Sequence, residues 1–192
     1  MPFIAALAAL VMHFAPPVVV VFETSAGNFE VAVDATRAPV TAANFLKYVD
    51  AGGYNAGFFH RTVRPETESR TDYPIQVIQA SAAKGFAGFG TIPLERTNVT
   101  GIKHVAGTLS MARGSADSAT SDFFVCITDT PELDFGGRRN ADGQGFAAFG
   151  QVISGMDVLR KIQQSPTKTG ADGKPSQALE PPITILKAYR KK

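Results

Sequence analysis

Short apolar runs recur along most of the chain, and residues that favour turns separate them. The stretch VVVVFETSAGNFEVAVD at 18–34 is β-branched and aromatic and breaks only at SAGN, so it predicts a β-hairpin. Six further runs have the length and composition of single strands. They lie at 58–63, 75–80, 107–113, 123–128, 145–153 and 182–189. The pattern therefore predicts about eight strands.

Two segments have helical features instead. Pro39 can begin a helix over 39–51, because proline suits the first helical turn. A second helix is expected after residue 153, where Ser154 and Asp157 have the spacing of a capping box. Strands and helices do not alternate regularly. This order favours a mostly β fold, either an antiparallel barrel or a sandwich, whose open ends two helices cover.

Two polar stretches in the second half of the chain are predicted to be connections. DFGGRRNADGQG at 134–145 lacks the ligand spacing of a calcium loop and is interpreted as a long hairpin connection. QQSPTKTGADGKPSQALEPP at 163–182 is interpreted as a surface loop that precedes the last strand.

Composition limits the classes of function. The chain has 192 residues and 44% apolar content, which predicts one domain with its own core. Its 19 Lys and Arg residues nearly balance 17 Asp and Glu, so nothing indicates a nucleic-acid partner. The single cysteine, Cys126, lies in an apolar run and is predicted to be buried and unreactive. No Cys and His residues have zinc-site spacing, so we expect no metal.

The N-terminus differs from the rest of the chain. FIAALAALVM at 3–12 is an apolar run of signal-peptide length, too short to span a bilayer as a helix. No Lys or Arg precedes it, so a retained extension is the alternative. We expect a signal peptide or an N-terminal extension at 1–17, a domain at 18–192 and no stable membrane insertion. A periplasmic location follows from the first interpretation and a cytoplasmic one from the second.

Several serine and histidine residues raise the question of a hydrolase. No GxSxG nucleophile elbow occurs in the chain. Neither Ser110 nor Ser121 has an identifiable base and orienting acid nearby in sequence, although His60 and His104 are present. The residues therefore do not favour nucleophilic catalysis.

A stronger signal is cumulative. Six blocks occur in order: APVTAANFLKYVDAGGY, FFHRTV, VIQAS, HVAGTLSMARG, SATSDFFVCITDTPELD and GFAAFGQVISGMDVLRKI. Together they resemble the cyclophilin-type peptidyl-prolyl cis-trans isomerases, with a bacterial-like pattern around Arg113. The resemblance implies an eight-stranded closed antiparallel β-barrel with two capping α-helices. It also implies rotation about X–Pro bonds in unfolded or flexible polypeptides, which assists folding, by a monomer that needs no cofactor.

Arg61, in the FFHRTV block, is the catalytic residue that the resemblance implies. Resonance gives the peptide C–N bond partial double-bond character and a rotational barrier of about 18–20 kcal/mol. At the twisted transition state this resonance is lost, and the proline nitrogen regains a lone pair that can accept a hydrogen bond. Arginine supplies a charged, planar donor. The alternative is that Arg61 only pairs with Glu66, Glu68 or Asp72 nearby.

The resemblance implies roles for other residues as well. Gln79 matches the glutamine that hydrogen-bonds the substrate backbone and helps to position the arginine. Phe124 and Leu133 match apolar walls of the proline pocket. Phe146 occupies a substrate-binding position held by histidine in many eukaryotic members and by an aromatic residue in many bacterial ones. The strand whose backbone is expected to pair with the extended substrate contains Ala112, Arg113 and Gly114.

Among the positions that depart from the family pattern, two belong to the expected substrate site. Gln76 stands where a pocket phenylalanine is usual, and the adjacent Ile75 is a candidate to replace it. Asp122 stands where glutamine is common and adds a charge that can pair with Arg61 or Arg113. Because Gln76 and Asp122 belong to the expected substrate site, they keep one alternative open: a non-catalytic proline-peptide-binding or chaperone module on the same fold.

The connection between FFHRTV and Gln79 is longer than usual for the family. Residues 65–74 are polar and have the character of an insertion. We expect this insertion to lie beside the substrate groove and to shape access to it.

Overall fold

The computed structural model of the chain describes residues 16–192. The predicted signal peptide or extension at 1–17 lies, apart from its last two residues, outside the described range. The strands are β1 (Val18–Thr24), β2 (Gly27–Val33), β3 (Phe58–Val63), β4 (Val77–Ser81), β5 (Thr108–Met111), β6 (Phe123–Cys126), β7 (Ala147–Ser154), β8 (Thr167–Thr169) and β9 (Pro175–Arg190). The helices are α1 (Pro39–Asp50), α2 (Thr97–Thr100) and α3 (Met156–Gln163), with a 3-10 turn at Pro131–Leu133.

Eight strands form a closed antiparallel barrel. Their order around the barrel is β1-β2-β7-β5-β6-β4-β3-β9, and β9 pairs with β1 to complete the circle. The short strand β8 lies outside this circle and pairs only with the first part of β9. The predicted fold class, an eight-stranded closed barrel with two longer helices, is confirmed.

Large apolar side chains fill the barrel interior. Phe22 and Phe29 are cross-strand partners on β1 and β2, and their ring centroids are 4.8 Å apart. Phe123 of β6 packs edge-on against Phe45 of α1 at 5.5 Å. All four rings are at most 1% exposed. Burial of each such side chain stabilises the fold by roughly 1.5–3 kcal/mol.

The two longer helices pack on opposite sets of strands. Helix α1 contacts β7 and β9, and α3 contacts β2, β3 and β4. The predicted capping box at α3 is wrong. Ser154 still pairs with Glu30 in the β2–β7 ladder, so the helix begins after Gly155, whose φ of +83° suits glycine. A Cβ at this position would lie 2.6 Å from the carbonyl oxygen of Asn28.

Two interpretations of the connections are corrected by the strand pairing. The segment 134–145 does not join the strands of a hairpin, because β5 lies between β6 and β7 in the barrel. The segment 163–182 is not an irregular loop. It contains β8 and the first half of β9, whose backbone groups are paired, so its polar composition reflects exposure rather than lack of structure.

No helix within residues 16–192 is both long and apolar enough to cross a lipid bilayer.

Candidate active site

A bulge in β3 turns Arg61 out of the barrel. Phe59 pairs with Ala80 and Arg61 pairs with Gln79, so His60 is an extra residue on this strand. Side chains two residues apart normally lie on the same face of a strand. When an extra residue is inserted between them, they lie on opposite faces. Phe59 is therefore buried in the core, while Arg61 lines a cavity on the outer face.

The pairing of β3 with β9 is also irregular at this point. Phe59 pairs with Ile183 and Arg61 pairs with Ala178. A step of two residues along β3 therefore corresponds to a step of five residues along β9. The extra residues of β9 have no partner on β3 and include Pro181 and Pro182, which cannot donate a ladder hydrogen bond. This shift brings Gln177 beside Arg61.

A second apolar cluster, separate from the barrel interior, forms the floor of the cavity. Its buried members are Val63, Ile75, Val77, Phe124, Cys126 and Leu133. Phe124 meets Phe146 edge-on, with ring centroids 5.4 Å apart. The cavity has a volume of about 220 Å³. This volume is several times the share of about 30 Å³ that one water molecule takes in the liquid, so the cavity can hold a small apolar ring.

Two glutamine side chains hold the Arg61 guanidinium. Its Nη1 donates to Oε1 of Gln79 at 3.0 Å, and its Nε donates to Oε1 of Gln177 at 2.8 Å. Burial, and then the positive charge of Arg139, lowers the pKa of Arg61 from its ordinary value. The group nevertheless stays a cation at neutral pH. A charged, half-buried donor therefore stands over the apolar floor.

The alternative that Arg61 serves only as an ion-pair partner is wrong. Within residues 16–192 it pairs with no carboxylate, because each of the nearby acidic residues is engaged elsewhere. Glu66 pairs with Arg64, Glu68 with Arg139 and Asp72 with Arg70.

Seven of the sequence-predicted site residues line one cavity. They are Arg61, Gln79, Ala112, Arg113, Phe124, Leu133 and Phe146. They come from β3, β4, β6, the segment after β5 and the connection before β7, so the barrel brings together residues that are far apart in sequence.

Gln76, Gly114 and Asp122 do not line this cavity. The side-chain amide oxygen of Gln76 accepts a hydrogen bond from Nε2 of Gln163 at 3.2 Å. Ile75 contributes to the floor of the cavity in place of Gln76. The alternation of side chains along a strand explains why Ile75 and not Gln76 reaches the floor. The odd-numbered residues Val77 and Gln79 face the cavity, so Gln76, an even-numbered neighbour, faces away from it. The Gly114 backbone N–H donates to Oγ of Ser118 at 3.0 Å.

Asp122 has a different partner from the one expected. Its Oδ2 accepts from Oγ of Ser81 at 2.8 Å and from Nε2 of Gln79 at 3.3 Å. It forms no ion pair with Arg61 or Arg113 within the described chain. Because its carboxylate only accepts, it fixes the amide of Gln79 with the oxygen toward Arg61. Asp122 therefore supports the site from behind Gln79.

Arg113 is held by Asp142 instead. Its Nη1 and Nη2 donate to the two carboxylate oxygens at 2.7 and 2.9 Å. Hydrogen bonds from Arg113 lower the pKa of Asp142 to about 2. The guanidinium carbon of Arg113 lies 5.1 Å from the centre of the Phe146 ring, so the ion pair also supports this wall.

Sequence reasoning missed Val77, Arg139, Asn140 and Gln177. The first three line the cavity, and the last binds Arg61. Arg139 is anchored by a buried ion pair with Glu68 of the insertion at 2.8 Å. No local motif marks these residues, because their roles depend on strand pairing and on loops that meet in space.

A buried serine, histidine and aspartate lie in a line below the floor. Nδ1 of His104 is 2.7 Å from Oδ1 of Asp134, and Nε2 is 2.9 Å from Oγ of Ser110. No base and orienting acid could be identified for Ser110 from the sequence, and the structure supplies both in His104 and Asp134. Burial raises the pKa of Asp134, but hydrogen bonds from His104 outweigh this effect and leave the pKa lowered.

These three residues support the cavity from below. Ser110 is 0% exposed, so its hydroxyl cannot reach a substrate as the nucleophile of a hydrolase would. The His104 ring stacks on Phe124, with centroids 6.0 Å apart and an interplanar angle of 14°. The hydrogen bonds fix the imidazole, and the imidazole supports the floor of the cavity.

Cys126 is buried in the floor, and burial raises the pKa of its thiol. The predicted unreactive role is consistent with this position. Among residues 16–192, no group of three or more His, Cys, Asp and Glu side chains is arranged to hold a metal ion.

Comparison with known proteins identifies the family. The model of the cyclophilin type peptidyl-prolyl cis-trans isomerases matches residues 19–190, nearly the whole chain. The chain belongs to the cyclophilin-type isomerases. It is 37% identical over 150 residues to peptidyl-prolyl cis-trans isomerase A of Dickeya dadantii, a match that covers 78% of this chain and 73% of that protein. Isomerase B of Escherichia coli is 32% identical over 145 residues, 75% of this chain and 83% of that protein.

Solved structures agree at the level of the cyclophilin fold. A cyclophilin type isomerase of Cryptosporidium parvum superposes with a TM-score of 0.68 over 92% of this chain and 98% of that chain. The sequences are 20% identical. Family membership makes this chain a peptidyl-prolyl cis-trans isomerase, and the predicted recognition, enzyme class and function are confirmed.

Proposed function

We propose that Arg61 is the catalytic residue of this isomerase and that its substrates are exposed X–Pro bonds in unfolded or flexible polypeptides. The observation that carries the proposal is the guanidinium of Arg61, fixed by Gln79 over an apolar floor. The proline ring occupies the floor formed by Phe124 and Leu133, and Phe146 closes one side.

Catalysis follows from a difference in hydrogen bonding between two states of the substrate. In the planar ground state the proline nitrogen is part of the amide resonance and accepts no hydrogen bond. In the twisted state it carries a lone pair, and Arg61 donates to it. An interaction made only in the transition state lowers the barrier without strengthening ground-state binding. A donor that is already oriented needs no reorganisation as the bond rotates.

The remaining residues bind and orient the chain around the proline. Gln79 hydrogen-bonds the substrate backbone as well as Arg61. The backbone of Ala112 and Arg113, next to β5, pairs with the extended substrate, which gives affinity without selecting a sequence. Gly114 extends this segment, with its N–H already bonded to Ser118. The domain acts as a monomer, and neither a cofactor nor a nucleic acid takes part.

The test measures exchange between the cis and trans forms of a short X–Pro peptide by NMR. We expect Arg61→Ala to lower the catalysed exchange rate by about a hundredfold, the scale for loss of one transition-state donor. The matched control is Arg37→Ala, which removes an exposed arginine paired with Asp34 and is expected to keep the wild-type rate. Full activity of folded Arg61→Ala overturns the assignment.

We also propose that residues 1–17 are removed from an exported, periplasmic protein. The support is the apolar run at 3–12 followed by prolines at 16 and 17. N-terminal sequencing of the protein purified from its own cells tests this point. A mature protein that begins near residue 17 is expected, and an intact N-terminus favours the cytoplasmic alternative.

A further inference from the structure

We propose that Gln177 is a positioning residue for Arg61 and that it makes the insertion at 65–74 a structural support of the catalytic group. The inference rests on the proposed function of Arg61. It assigns a role in the reaction to a strand that the sequence pattern presented as a surface loop.

Gln177 bridges the arginine and the insertion. Its Oε1 accepts from Nε of Arg61 at 2.8 Å, which is shorter than the 3.0 Å bond from Nη1 to Gln79. Its Nε2 donates to the carbonyl oxygen of Thr67 at 3.1 Å. One side chain thus connects the guanidinium to a backbone group of the insertion.

The carbonyl of Thr67 determines which end of the amide faces Arg61. A carbonyl oxygen only accepts hydrogen bonds, so the NH2 group of Gln177 must point toward it. The amide oxygen then points toward Nε of Arg61, the one orientation that suits a donor. Gln79 is oriented in the same manner on the other side, where the Asp122 carboxylate accepts from its NH2 group.

Thr67 is itself held in place, so that its carbonyl group can orient the Gln177 amide. It is 5% exposed, and its hydroxyl donates to the carbonyl oxygen of Thr62 at 3.1 Å. The same hydroxyl accepts from the backbone N–H of Arg64 at 3.1 Å. The start of the insertion is therefore tied back to β3, the strand that carries Arg61.

The two glutamines leave a defined part of the guanidinium for the substrate. They occupy Nε and one N–H of Nη1, and within residues 16–192 the Nη2 group donates to no protein acceptor. An arginine side chain loses considerable rotational freedom when it is fixed. Contacts that fix it before the substrate binds remove that cost from the catalysed step.

The experiment compares two substitutions of Gln177 in the full chain, with the same X–Pro peptide and NMR exchange measurement. Gln177→Leu removes both hydrogen bonds, and we expect kcat to fall about tenfold while KM changes less than about twofold. Gln177→Glu keeps an acceptor for Nε of Arg61 but loses the donor to the carbonyl oxygen of Thr67, so we expect its kcat to lie between those of the wild type and Gln177→Leu.

The matched control is Gln151→Leu on β7. Gln151 also hydrogen-bonds a backbone carbonyl, that of Ala106 at 2.7 Å, but it lies away from the cavity, so its kcat is expected to be unchanged. The second readout is the Nε–Hε resonance of Arg61, which should shift or broaden in Gln177→Leu. A purely structural role would change the thermal midpoint without moving this resonance.

Two results overturn the inference. One is a wild-type kcat in Gln177→Leu. The other is a wild-type kcat in Gln177→Glu, because the hydrogen bond from Gln177 to Thr67 of the insertion would then have no effect. Neither result touches the proposed function, whose failure shows itself separately as full activity of Arg61→Ala.

Discussion

The inner and outer faces of the barrel wall have different surroundings, as two adjacent residues of β6 show. Phe123 points into the barrel, where it packs against other buried aromatic rings such as Phe45 and Phe59. Phe124 points outward and meets an imidazole, an aromatic wall and the open cavity. The inner face stabilises the fold. The outer face holds a polar group in place over an apolar floor.

The site needs more support than the core. Apolar packing is non-directional, so the interior requires only suitable volume and alternation. The cavity needs oriented donors, and carboxylates fix several polar side chains in the cavity and below its floor. Asp122 orients Gln79, Asp142 holds Arg113, and Asp134 holds His104.

The largest effect on stability is expected from Phe123→Ala. This substitution leaves an enclosed cavity in the barrel and should lower the free energy of unfolding by about 3–5 kcal/mol. Urea unfolding measures the loss. The protein that remains folded should keep its kcat for an X–Pro peptide, and a loss of kcat without destabilisation would contradict the separation of the two faces.

Phe124→Ala is expected to affect peptide binding more than stability. One side of this ring already faces the cavity, so fewer protein contacts are lost and the destabilisation should be smaller than for Phe123→Ala. KM should rise about tenfold, because the proline ring loses part of its floor. Peptide titration by NMR measures the change, and an unaltered affinity would remove Phe124 from the pocket.

Asp134→Asn should have a smaller and pH-dependent effect. The lowered pKa of Asp134 means that its carboxylate stabilises the folded protein above the ordinary value of 3.8. This contribution is lost as the pH falls through the lowered pKa. We expect the variant to be less stable by about 1–3 kcal/mol at pH 7. Unfolding at pH 7 and pH 3 should show the difference narrowing in acid, and a constant difference would contradict it.

The sequence predicted much of the fold because the composition that favours a strand is local. Runs such as FFVCIT are apolar, β-branched and aromatic, which is typical of a buried strand, and six blocks in order indicated the family. Residues that line the cavity, among them Arg61, Gln79 and Phe124, could be selected by matching those blocks. Their assembly in one cavity follows from the barrel.

Other features of the site depend on contacts between distant segments. The bulge at His60 cannot be read from FFHRTV, because it exists only relative to β4. Gln177 lies in a stretch whose glycines, prolines and lysines are typical of a loop, and only its pairing with β3 and β8 makes it part of a strand. Gln76 was assigned to the pocket by position in a motif, whereas the alternation of β4 turns it away.

The most direct test of the account is the exchange rate of an X–Pro peptide with Arg61→Lys. Lysine keeps the positive charge but lacks the planar fork that Gln79 and Gln177 hold. If an oriented donor drives the rotation, folded Arg61→Lys should lose about tenfold or more of the catalysed rate while it still binds the peptide. A wild-type rate in this variant would show that charge alone suffices, and would contradict the account.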